Sequence, residues 1–118
     1  VSDKIKTGAK GEALAAEFLK KKGFHVVARN FRYGRAEIDL IVTRQDWLIF
    51  VEVKTRTSVS YGQPEEFVSL TQAKRIYDAA EHYIFSTDWC GHVRFDVVSV
   101  MLADESAPEI SHFEDAIN

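Results

Sequence analysis

The sequence predicts an α/β fold built on a central mixed sheet of about five strands flanked by helices, in the order α-β-β-β-α-β-β. Three observations carry that expectation. Two stretches repeat apolar residues at the helical period, five are rich in β-branched and aromatic residues, and the middle strands are apolar on both sides. A strand buried on both faces needs a layer over each, so one helix is expected on either face of the sheet. At 118 residues the chain makes one domain, residues 1–118, with material for a modest core.

The first helix is expected over residues 9–22. Ala9, Ala13, Ala16 and Leu19 fall on one stripe, Ala15 and Phe18 lie beside it, and Gly23 stands where a C-terminal cap belongs. Residues 24–30 read as a strand rich in valine and aromatics. Residues 36–43 and 47–55 are two more strands, joined across a tight turn at Gln45-Asp46, and should pair as an antiparallel hairpin. A long loop is expected over residues 57–64, which include Ser58, Ser60, Gly62 and Pro64. The second helix covers residues 70–85. Ala73, Ile76, Tyr77, Ala80, Tyr83 and Ile84 keep its period, and Ser69-x-x-Gln72 has the form of a capping box. Residues 92–101 make a fourth strand and residues 109–113 a short edge strand.

Composition narrows the function. No apolar stretch approaches a membrane span, and the N-terminal segment is polar and basic, without a hydrophobic signal region; a cytoplasmic protein is expected. The single cysteine, Cys90, can build neither an internal disulfide nor a cysteine zinc site. Cys90-Gly91-His92 sets a thiol beside an imidazole but offers no orienting acid, and the four histidines lack ligand spacing. Gly8-x-x-Gly11 lacks the Lys-Ser/Thr of a phosphate loop and reads as the start of a helix. The net charge of −3 hides an asymmetry. Residues 1–56 carry twelve Lys/Arg and seven Asp/Glu, a balance of +5, whereas residues 57–118 carry three and eleven, a balance of −8. One basic face is the expectation, with an ordinary dipolar surface as the plain alternative.

The chemistry concentrates on the hairpin. Glu52 and Lys54 interrupt an apolar strand, and strand alternation points both to one face, away from Trp47, Ile49, Val51 and Val53. Around the Gln45-Asp46 turn, antiparallel pairing sets Asp39 opposite a residue near Glu52 or Val53. Charges inside a buried strand are expensive and need a reason. A metal-dependent phosphodiesterase site supplies one: two carboxylates hold a divalent cation, and a lysine steadies the charge developing on phosphate. The plain alternative is a solvent-facing ion pair beside a surface acid. Glu12, in line with Ala16 and Leu19 on the first helix, could reach the same site or could simply favour the helix dipole. Arg29, Arg32, Arg35 and Arg56 flank the acids and could grip phosphates, or could be solvated at strand ends.

Asp39-x12-Glu52-x-Lys54 on hairpin strands, preceded by a helix carrying an acid, resembles the PD-(D/E)xK nuclease core of restriction endonucleases and archaeal Holliday junction resolvases. Nearly the whole chain is similar to the YraN family of bacterial predicted endonucleases. The resemblance runs through Gly8-x-x-Gly11-Glu12, Gly23-Phe24, Asn30-Phe31-Arg32, Glu37-Ile38-Asp39-Leu40-Ile41 and Phe50-Val51-Glu52-Val53-Lys54-Thr55-Arg56. It continues through Gly62-x-Pro64, Lys74, Arg94-Phe95-Asp96 and Ile110-x-His112. Where that family usually has glycine before Glu37, this chain has Ala36. The resemblance implies a restriction-endonuclease-like core. It implies Mg²⁺ or Mn²⁺ held by Asp39 and Glu52 with the Val53 carbonyl, Lys54 orienting the attacking water, and Glu12 on a metal water or second ion. The reaction implied is hydrolysis of DNA to a 5′-phosphate and a 3′-hydroxyl, with branched DNA and a homodimer expected by analogy to the resolvases. The other function expected is a nucleic-acid-binding or partner-dependent module that keeps the scaffold and does not cut.

Overall fold

A computed structural model of the chain describes residues 3–57, 68–102 and 107–117. Its elements are α1 (Asp3–Lys21), β1 (His25–Tyr33), β2 (Ala36–Arg44), β3 (Trp47–Arg56), α2 (Leu70–Thr87), β4 (His92–Met101) and β5 (Glu109–Phe113). The order is the predicted one. The loop expected over residues 57–64 lies, beyond Thr57, outside the described residues.

The five strands make one mixed sheet in the order β1-β2-β3-β4-β5. The β2–β3 hairpin pairs Arg44 with Trp47 around its two-residue turn, where Gln45 adopts φ 55°. Only β3 and β4 run parallel, and α2 supplies the crossover that such a pair requires. The helices cover opposite faces. On one, Ala15, Ala16 and Leu19 of α1 pack with Leu40, Val42, Ile49, Val51, Val98 and Val100. On the other, Ala73, Ile76, Ala79 and Ala80 of α2 pack with Ile38, Ile41, Leu48, Phe50 and Val97. Each fully buried Leu, Ile or Phe contributes about 1.5–3 kcal/mol, so these two layers hold the sheet in place.

Three expectations need correction. Helix α1 starts at Asp3 rather than residue 9, and Ala9 and Ala13 are exposed. The buried stripe is Gly11, Ala15, Ala16 and Leu19. Gly11 is therefore inside the helix, where any Cβ would collide with the Thr55 side chain, so glycine lets α1 lie directly against β3. Strand β1 begins at His25 and runs on to Tyr33 instead of spanning residues 24–30. The capping box is half formed: the Ser69 hydroxyl accepts from the Gln72 N–H at 3.1 Å, but the Gln72 side chain turns to Glu52.

One irregularity positions the site. Arg29 pairs with Leu40 and Phe31 with Ile38, but the intervening Asn30 and Asp39 do not pair. Asn30 is left-handed there, at φ 51°. Ala36 and Ile38 pack toward α2, whereas Leu40 and Val42 pack toward α1. Regular alternation would keep all four on one face, so β2 turns over at Asp39. Its pairing with β3 ends at Leu40–Val51, while β3 stays paired with β4 as far as Arg56. The two hairpin strands therefore part beyond Leu40, and a cleft opens between them. Ala36 fits this backbone with a buried methyl group and no positive φ; the left-handed residues of this segment are Asn30 and Gly34.

Candidate functional site

The cleft has a volume of about 340 Å³ and gathers side chains from four elements. Glu12 comes from α1, Glu37 and Asp39 from β2, Glu52 from β3, and Gln72 and Arg75 from α2; Arg35 joins from the tip of the β1–β2 hairpin. Because β2 and β3 have separated here, the Val53 N–H lacks a partner on the neighbouring strand. Asp39 supplies one, its Oδ2 accepting that N–H at 2.7 Å. This contact fixes Asp39 beside the Glu52-Val53 peptide.

Glu52 is buried, with its side chain 8% exposed. Its Oε2 lies 3.4 Å from Lys54 Nζ and also accepts a hydrogen bond from Gln72 Nε2. Asp39 lines the same cleft as Glu52. The negative charge of Glu52 there opposes ionisation of the Asp39 carboxyl. Burial is the largest influence on Asp39. Together with the hydrogen bond to Glu52 and the charges of Glu52 and Glu12, it pushes the carboxyl up to about 9, against the opposing pull of the Val53 N–H. The Glu12 carboxyl is also raised, first by burial and then by Glu37 and Glu52, while a hydrogen bond from Asn30 pulls it down.

The site residues predicted from sequence divide into two groups. Asp39, Glu52 and Glu12 line the cleft, and Lys54 reaches it through Glu52 without lining it. Of the arginines, Arg35 lines the cleft, whereas Arg29, Arg32 and Arg56 do not. Arg32 is committed to Glu37 at 2.8 Å. From sequence, Gln72 reads only as part of a capping box and Arg75 as an ordinary helix residue. Asn30 enters only through the Asn30-Phe31-Arg32 motif, although its reversed backbone and its bond to Glu12 both belong to this site.

The donor set suits a small hard cation. Among the described residues no group of three or more His, Cys, Asp or Glu forms a ready-made ligand cage. Mg²⁺ does not need one: it keeps several waters and is commonly held by one or two carboxylates together with substrate phosphates. Asp39 and Glu52 line one cleft, as an ion held by two carboxylates requires, with Glu12 adding negative charge. Asp39 and Glu52 are thus the residues that would hold it.

A second acid, Asp96 on β4, is fully buried and was not singled out from the sequence as a site residue. Its Oδ1 accepts from Arg94 Nε at 2.8 Å and from the Asp115 N–H at 3.0 Å. Its Oδ2 accepts from the other Arg94 nitrogen at 2.9 Å and meets His112 Nε2 at 2.7 Å. Burial pushes this carboxyl up, but the bonds from His112, Arg94 and Asp115 outweigh it and the net shift is downward. Asp96 joins β4, β5 and the C-terminal turn, outside the cleft. No helix among the described residues is long and apolar enough to cross a membrane.

Comparison with known proteins covers most of the chain. Residues 11–100 match the model of a family described as uncharacterised protein family UPF0102. A UPF0102 protein of Rhodococcus opacus is 43% identical over 111 residues, covering 92% of this chain and 93% of the relative. One from Chlorobium phaeobacteroides is 40% identical over 122 residues, covering 98% and 95%, and one from Flavobacterium psychrophilum 38% over 109 residues, covering 92% and 91%. The chain belongs to the UPF0102 family.

Proposed function

We propose that this protein is a metal-dependent endonuclease of the PD-(D/E)xK type, cutting phosphodiester bonds in DNA at the cleft between β2 and β3. The observation that carries the reading is that Asp39 and Glu52 line one cleft where two strands part, with Lys54 bordering Glu52. A protein gains no stability from pressing two carboxyl groups together, so the arrangement makes sense as a holder for a cation. When bound, Mg²⁺ or Mn²⁺ lowers the pKa of its water and polarises the phosphate. Asp39 and Glu52 hold that ion. Lys54, a point charge on a flexible stem, orients the attacking water and stabilises charge on the phosphoryl oxygens. Glu12, steadied by Asn30, serves a second ion or a cation-bound water. Branched DNA is the favoured substrate and the cytoplasm the favoured compartment.

The test is incubation with Mn²⁺ and linear, single-stranded, supercoiled and four-way-junction DNA. Metal-dependent cleavage is expected in the wild type and its loss in Glu52→Gln and Lys54→Ala. Cleavage undiminished by Glu52→Gln marks a contaminant and removes the assignment.

A second reading is a nucleic-acid-binding module that acts only with a partner. Leu70 and Phe85 of α2 are 85% and 74% exposed, a cost that a partner would relieve. A second copy is the simplest such partner. Salt-sensitive DNA binding without cleavage, with a solution mass that doubles with concentration, is the outcome this reading requires.

A further inference from the structure

The cleft holds four carboxyl groups and two guanidinium groups, and the guanidinium groups pair with none of them. Arg35 and Arg75 both line it, one from the hairpin tip and one from the second turn of α2. Two other arginines are paired closely with acids. Arg32 lies 2.8 Å from Glu37, and Arg94 lies 2.8 Å from Asp96. Among the described residues neither Arg35 nor Arg75 forms an ion pair. Both residues are exposed, and they reach this cleft from two different elements. Arginines meant to neutralise the acids would have closed onto them, as Arg32 does.

We infer that Arg35 and Arg75 form a phosphate grip at the mouth of the cleft, holding the phosphodiester next to the carboxylates. The chemistry fits. A guanidinium fork matches two phosphate oxygens, and a pair of forks from separate elements orients the group as well as attracting it. The cleft, at about 340 Å³, has room for a phosphate and a cation together. The grip gives the substrate a direction of approach, between the hairpin tip and α2. It also assigns the cleft an anion of nucleic-acid backbone type. The inference rests on the phosphodiester reading above, and Arg75 is its new member.

The experiment reads binding rather than cleavage, so the two readings can fail separately. A fluorescently labelled single-stranded oligonucleotide and a labelled duplex are titrated by anisotropy without divalent metal, across a range of salt. Wild type is compared with Arg75→Glu, Arg75→Lys, Arg35→Ala and the control Lys21→Glu, a matched charge reversal at the far end of α1. Arg75→Glu should weaken binding by about tenfold or more. Arg35→Ala should lower the slope of log affinity against log salt by about one. Arg75→Lys should recover part of the loss, which a purely structural role would not allow. Circular dichroism checks that each variant is folded, and Lys21→Glu should weaken binding about twofold or less, as a long-range charge effect does. Equal losses in Arg75→Glu and Lys21→Glu overturn the grip, because net charge alone then explains them. A folded wild type that binds neither oligonucleotide at low salt overturns it outright. A wild type that binds through Arg75 but cuts nothing in Mn²⁺ keeps the grip and removes the nuclease.

Discussion

Asp96 is fully buried, and each of its oxygens is answered twice: Arg94 and the Asp115 N–H on one, Arg94 and His112 on the other. Asp39 has one backbone donor, from Val53, and otherwise faces acids. The first carboxyl is held below the usual range and the second is pushed up to about 9. Both sit on strands of the same sheet. What separates them is whether the fold supplied donors. At Asp96 it brought β5 and the C-terminal turn to complete a network. At Asp39 it parted two strands and left that carboxyl with a backbone donor from Val53 and acids around it. The first arrangement is what stability selects, and the second is the one the proposed cation would complete.

The largest expected effect breaks that contrast by exchanging the two acids' fates. Asp96→Ala leaves Arg94 and His112 facing an empty site and should cost about 3–5 kcal/mol, read from urea unfolding. Asp39→Asn should stay within about 0.5 kcal/mol of wild type or rise above it, because an amide can still accept from Val53 and donate to Glu52. A large loss in Asp39→Asn would mean that Asp39, too, is a structural acid.

The pH dependence of stability follows next. The unfolded chain releases the Asp39 proton near the ordinary 3.8, whereas the folded chain keeps it until about 9. Between those values the folded state binds more protons, so this group makes stability fall as pH rises. Asp96 works in the other direction. Its lowered folded value gives stability that is present above 3.8 and lost as pH falls through the folded value. Urea midpoints measured across pH should therefore decline as pH rises from 3.8 to about 9 in the wild type. Asp39→Asn should flatten that limb and leave the acid limb alone.

Gly11→Ala comes third. The new methyl group meets Thr55 and must push α1 off β3, taking Glu12 with it. Overpacking of this kind costs about 1–3 kcal/mol, and Thr55→Ala in the same chain should return part of it. The smallest effect is Gln72→Ala, which removes one donor from Glu52 and should cost about 1 kcal/mol or less, seen as a small shift in the urea midpoint.

Much of this was legible in the sequence because hydrophobic period and turn chemistry agree over most of the chain. The bounds of β4 and β5 and the hairpin turn follow from them. Legibility failed where one residue served two levels of structure. Asn30 reads as a strand end, yet β1 continues through it with left-handed backbone, and the kink helps to open the cleft. Gln72 matched a capping box, but tertiary context drew its side chain to Glu52. Helix α1 runs past its apolar stripe, through Lys6, Ala9 and Lys10, which are exposed and leave no periodic signal. Asp96 carried the same signal that singled out Glu52, an acid in an apolar strand, but without a lysine two residues on it raised no chemical expectation. Arg75 has no sequence signature at all; only the fold puts it in the cleft.

The most direct test of the contrast is titration calorimetry of Mn²⁺ into the protein near neutral pH, in two buffers of different ionisation enthalpy. One ion per chain is expected, bound with release of a proton because the carboxyl pair must give one up, and binding should vanish in folded Glu52→Gln while surviving intact in folded Lys21→Glu. A wild type that binds no Mn²⁺, or a folded Glu52→Gln that binds it equally well, would contradict the account.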